Sequence, residues 1–118
     1  MKKKFSVCLL AVLTAMVCLA FAACSKLPAN VKEANAKMEK AGYSSNVTTW
    51  RYFGYVEGAN IENDSGEKLS VLYFEKADYA EQAYEDLKWT KETETITVKQ
   101  EGKCVYFGTA NAISEFEK

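Results

Sequence analysis

Asn63-Asp64-Ser65-Gly66 separates two runs rich in β-branched and aromatic residues, and the fold is read outward from it. Asn, Asp and Ser bend the backbone through local side-chain hydrogen bonds and Gly supplies the conformational freedom, so this tetrapeptide is a turn joining two strands. The strands fall near 55 to 62 and 67 to 74. In the second, Leu69, Val71, Leu72, Tyr73 and Phe74 are too continuous for a strand with one wet face. The same composition extends back to Ser44, punctuated by Gly54 and Gly58, so Ser44 to Phe74 reads as three strands.

On either side the period changes. Val31, Ala34, Met38 and Ala41 share one stripe at helical spacing. Asn30 and Glu33 form a capping pair ahead of that stripe, Gly42 offers a left-handed stop, and Tyr43 follows to pack back. This predicts a helix at about 29 to 41. Lys76 to Trp89 is helical again, with Ala77, Ala80, Ala83, Tyr84 and Leu87 on one side and Glu81, Glu85, Asp86 and Lys88 on the other. Asp78 with Glu81 is a candidate cap for it. Thr95 to Lys99 alternates, Gln100-Glu101-Gly102 turns, and Lys103 to Phe107 answers as a hairpin partner. A last short helix follows Gly108, with Thr109 as N-cap and Ala112, Ile113 and Phe116 facing inward.

The order α-β-β-β-α-β-β-α predicts an α+β domain: a small antiparallel sheet of about five strands with two to three helices packed on one face. On that arrangement Ile96, Val98, Val105 and Phe107 face the helices, while Thr95, Thr97, Cys104 and Tyr106 line an open side. The helix-strand-strand pattern occurs twice, without a residue-level repeat.

The N-terminus has another character. Lys2, Lys3 and Lys4 precede an uncharged run from Phe5 to Ala23, the order of charged and apolar regions found in secretory signals. It ends in Leu19-Ala20-Phe21-Ala22-Ala23-Cys24-Ser25, small residues followed by a thiol. Residues 1 to 25 resemble a bacterial lipoprotein signal, or lipobox, with Phe21 standing where the family usually has Leu. The resemblance implies cleavage before Cys24, removing residues 1–23, and a diacylglyceryl group, palmitate-like in its chains, on the Cys24 sulfur. Two acyl chains give stable anchoring where one is marginal. The rival readings are a permanent apolar anchor, because the run approaches the ~20 residues that span a bilayer, and ordinary cleavage after Ala22 at Ala-Phe-Ala. Residues 24–28 would be a short lipidated tether and 29–118 a single domain. Only Ser25, Lys26 and Leu27 separate Cys24 from Pro28, and at about 3.3 Å per residue they reach roughly 10 Å, which holds the domain close to the extracytoplasmic face of the membrane.

Removing 23 residues from 118 leaves 95, enough for one small domain. The signal takes three of the 15 basic residues and none of the 16 acidic ones, leaving 12 against 16 and a net charge of −4. An acidic chain with Arg51 as its single arginine is no nucleic-acid binder. Cys8 and Cys18 leave with the signal and Cys24 is consumed by lipid, so Cys104 remains without a disulfide partner, an inert thiol in a strand. Histidine is absent, which removes the commonest general base and zinc ligand.

Trp50-Arg51-Tyr52-Phe53-Gly54-Tyr55 gathers four aromatics around that arginine. Such residues are enriched at recognition surfaces and also fill cores. Both readings stand, and Trp50, Arg51, Tyr52 and Tyr55 are the candidate binding residues. The acidic turn places oxygens at Asn60, Glu62 and Asp64, but Gly66 lies one residue late for an EF-hand and Val71 occupies position twelve, so no metal site and no cofactor are expected. The glycosylation-like triplets at Asn46 and Asn63 are coincidental in a bacterial lipoprotein. The expected function is a membrane-anchored, non-catalytic binding or interaction module, its partner a protein or small ligand. A structural envelope component, or an enzyme using carboxylate or tyrosine chemistry, is the alternative.

Overall fold

The computed structural model describes residues 27–118. Cys24 and the signal-like segment lie outside the described residues. Helix α1 spans Val31–Lys40, and Asn30 caps it by accepting the Glu33 N–H at 2.9 Å. Glu33 reaches back to the Ala29 N–H at 3.4 Å, a capping box displaced by one residue. The helix ends in a Schellman motif: Gly42, at φ +91°, donates to the Glu39 carbonyl, Tyr43 donates to that of Met38, and the Tyr43 ring is buried behind them.

Strands β1 (Ser44–Thr48), β2 (Tyr55–Glu62) and β3 (Lys68–Phe74) are consecutive antiparallel neighbours. The turn between β2 and β3 closes as its composition requires, with the Asn63 side chain accepting the N–H groups of Ser65 and Glu67 at 3.0 Å. Helix α2 (Ala77–Lys91) follows, then β4 (Thr97–Glu101), β5 (Cys104–Gly108) and α3 (Ala110–Glu117). The antiparallel sheet has the order β1-β2-β3-β5-β4. The α+β class, the five strands and the order α-β-β-β-α-β-β-α are all present.

Local chemistry moves one boundary and changes two caps. Strand β4 starts two residues later than the alternation suggests, because the Thr93 hydroxyl accepts the N–H groups of Thr95 and Ile96 and turns the chain there. Helix α2 starts from Lys76 without a side-chain cap, so Asp78 and Glu81 have no capping role. Thr109 does occupy the N-cap position of α3, yet its hydroxyl accepts the Lys68 N–H at 3.1 Å and ties the helix entrance to β3 instead.

The helices do not share one face. Val31, Ala34 and Met38 of α1 and Ala112, Ile113 and Phe116 of α3 pack on Ala59, Ile61, Leu69, Val71, Tyr73, Cys104 and Tyr106. On the opposite face, Ala80, Ala83 and Leu87 of α2 pack on Leu72, Phe74, Val98, Val105 and Phe107. Alternate residues of β3 and β5 therefore enter two separate cores. The unbroken apolar run of β3 is the signature of a strand covered on both sides. Cys104 and Tyr106, expected on an open side, are buried under α1 and α3.

The last turn of α3 is fastened to the sheet by Glu117, which accepts from Lys99 Nζ at 2.8 Å and from the Tyr106 hydroxyl at 2.6 Å. Partial burial pushes the Glu117 carboxyl up, but these two donors outweigh it and hold it below its ordinary 4.5. The ionised carboxylate thus contributes stability above the unfolded value, and this contribution is lost as pH falls through the lowered folded value. Glu117→Gln is expected to cost about 1 kcal/mol at neutral pH, a modest figure because the side chain is one-third exposed. Chemical denaturation across a pH series should show the deficit closing under acid. A deficit of constant size would mean that the charge is not what holds the turn.

Candidate functional site

The aromatic segment 50–55 is a strap lying along α2. Leaving β1, the chain crosses to the α2 face, where the Trp50 ring meets Phe107 edge-on at 5.7 Å. It then descends the helix. Tyr52 packs on Phe74 and donates to Asp86 at 2.6 Å, Phe53 stacks edge-on against Tyr79 at 4.7 Å, and the Gly54 carbonyl accepts the Glu75 N–H at 2.8 Å. Gly54 sits at φ +76°, and a Cβ there would run into the Tyr79 side chain, so this position combines a backbone need for glycine with a steric one. Tyr55 returns to the sheet, packs on Phe74 and donates to the Thr48 carbonyl at 2.6 Å.

Of the four sequence-nominated residues, Trp50, Tyr52 and Tyr55 are half-buried and pack on the α2 core, whereas Arg51 is exposed. The rings fill the flank of a core, as the packing reading has it, and Trp50 also forms a wall. Replacing Trp50 and Tyr52 together would damage packing, so it cannot serve as a clean test of binding.

The wall belongs to a groove of about 360 Å³ on the part of the sheet that α2 leaves uncovered. Its floor is the polar row of β1, β2 and β3, in which Asn46 pairs with Asn60 and Asn60 with Ser70 across the strands. The Ser70 hydroxyl donates to Asn60 Oδ1 at 2.7 Å. Glu62 and Lys68 close the end near the turn, and Lys91 stands over the Trp50 ring at 5.9 Å, within cation–π range. The Trp50 indole N–H is buried without an acceptor among the described residues. Such a group carries a desolvation cost.

Amide, hydroxyl, carboxylate and ammonium groups around one aromatic wall suit orientation of a polar partner by hydrogen bonds. Sequence reasoning missed Asn46, Asn60, Ser70 and Lys91. The available signal was the polar residues alternating with Ile61 and Leu69, but only the α2 placement shows that they are left uncovered.

Cys104, Tyr106 and Glu117 are not poised for proton transfer near neutral pH. Burial pushes the Cys104 thiol up to about 12, which suits an inert core residue. Burial and the bond to Glu117 push Tyr106 well above the usual phenol value. A lowered carboxylate beside a raised phenol leaves neither near neutral pH, where acid–base catalysis is efficient. Among the described residues there is no group of three or more Cys, Asp or Glu that could hold a metal ion, and no helix is long and apolar enough to cross a membrane. No family model, curated protein or solved structure matches the chain.

Proposed function

We propose that this protein is a lipoprotein held on the extracytoplasmic face of a bacterial membrane by acyl chains on Cys24, and that its domain is a non-catalytic binding module. The observation that supports the binding reading is the Trp50 groove: beside the core packed under α2, the polar row of β1, β2 and β3 stays exposed next to an aromatic wall. The anchoring reading rests on residues 1 to 25. The partner, a protein or a small ligand, is met by hydrogen bonds from Asn46, Asn60 and Ser70 with Trp50 as the apolar contact.

Intact mass of the membrane-extracted protein tests the anchor. The expected species begins at Cys24 and carries at least two acyl chains, and Cys24→Ala is expected to abolish processing and acylation. An unacylated mature mass would mean free secretion, and an uncleaved chain would mean a transmembrane anchor. The groove is tested separately with a photo-crosslinking amino acid at Asn46 and, as a control, at Lys32 on α1. A discrete adduct in living cells is expected from Asn46 alone. Equal labelling at both sites, or none at Asn46, would remove the groove as the contact surface.

A further inference from the structure

The end of the sheet from which the N-terminal chain departs is marked by Tyr73, whose hydroxyl donates to the Pro28 carbonyl at 2.8 Å. Leu27 packs against the adjoining core. Close by are the last residues of β3, the first of β2 and the β4–β5 turn: Tyr55 pairs with Phe74, Glu75 binds Gly54, and Phe74 binds Lys103. Two of the large apolar side chains that the domain leaves in solvent belong to this end. Phe53 is 74% exposed at the foot of the strap, and Val56 is 59% exposed. Val56 falls where the pairing of β2 with β3 shifts register, between Tyr55 and Glu57. A bulge of this kind re-aims a side chain out of the regular alternation.

Neither side chain is needed outside to complete a core. Phe53 already has Tyr79 against one edge of its ring, and the remainder faces outward. Only Cys24, Ser25 and Lys26 would separate the lipid from Leu27, a reach of about 10 Å. Leu27 is then confined within that distance of the bilayer and this end of the domain is the one nearest it, while the Asn63–Gly66 turn and the Trp50 groove lie toward the other end of the β2–β3 hairpin.

We propose that Phe53 and Val56 form a second membrane contact, inserting into the lipid headgroup region and setting the domain upright on its anchor. The proposal rests on acylation of Cys24. Its occupant is a lipid surface rather than a protein because the short tether brings that surface to this end. The contact is apolar in character: Lys76 and Lys103 are accompanied by Glu75 and Glu101, so among the described residues this end carries no basic patch to bind anionic headgroups. Aromatic rings favour the membrane interface, and a tethered domain inserts them without the entropic cost of free association.

The test uses the acylated full-length product, checked by intact mass and reconstituted into phosphatidylcholine vesicles containing a nitroxide-labelled lipid. Phe53→Cys, Val56→Cys and Ser65→Cys are each labelled with an environment-sensitive fluorophore, Cys104 being buried in the fold. Quenching by the lipid nitroxide is expected to be several-fold greater at 53 and 56 than at 65, and to persist in high salt. Adding Phe53→Glu to the Val56-labelled protein is expected to remove the quenching at 56. Equal, weak quenching at all three positions of an acylated protein would overturn the second contact and leave the anchor intact. A product without acyl chains would overturn both.

Discussion

Gly108→Ala is expected to lower the melting temperature of the domain by more than about 10 °C. Gly108 ends β5, paired with Leu69 on one side and Thr97 on the other. A Cβ placed there would collide with the Lys68 carbonyl oxygen and stand 2.9 Å from the Leu69 Cα. Both neighbours are backbone, and that carbonyl also receives the Thr109 N–H at 2.9 Å, so it has little room to retreat without giving up the bond. Overpacking against a fixed wall costs about 3 kcal/mol. A domain of this size loses roughly 4–8 °C per kcal/mol. Gly66→Ala provides the contrast: Gly66 has φ +86° but nothing within 4 Å, so its loss is backbone strain alone, about 1 kcal/mol. Thermal unfolding of the two variants side by side separates collision from strain. A Gly108 variant that melts with the wild type would mean that the β3–β5 contact opens easily.

Phe116→Ala is the second large effect, at about 3–5 kcal/mol. The ring is fully buried, 5.0 Å from Tyr106, and belongs to the last turn of an eight-residue helix. So short a helix has little intrinsic stability and holds its place through its buried face. The other buried side chains of α3, Ala112 and Ile113, lie in its first half. Losing Phe116 therefore frees the turn that carries Glu117 and gives up the Lys99 and Tyr106 bonds as well. Denaturant unfolding should register the drop in stability, and hydrogen exchange should show α3 opening before β3. A loss below about 1 kcal/mol would show that the space can be refilled by its neighbours.

What could be read from the sequence was what local chemistry decides. The Asn63–Gly66 turn, the Asn30 cap, the Gly42 stop and the inward residues of α3 each depend on a few neighbouring residues, and each appears where its chemistry requires. The side on which each helix lies depends on pairings between distant strands. Reading Cys104 and Tyr106 as an open side followed from assuming one helical layer, although the apolar run from Val71 to Phe74 already implied two. The aromatic strap was visible as composition, but its course was not. Only with α2 on the second face does Trp50 become a wall, and the floor of the groove also needs β1, whose register on β2 no local signal sets.

The order β1-β2-β3-β5-β4 also carries a consequence for how the chain assembles. The pairs β1–β2, β2–β3 and β4–β5 join neighbours in sequence, whereas β3–β5 bridges the whole of α2 and β4. Loop closure over that span comes late, because its entropic cost precedes any reward from the contact. Both cores draw on β3 and β5 together. An emerging chain therefore has no finished half to rest on until the segment around Phe107 is available. If the chain is carried across a membrane before folding, as proposed above, nothing compact would form early enough to block its passage.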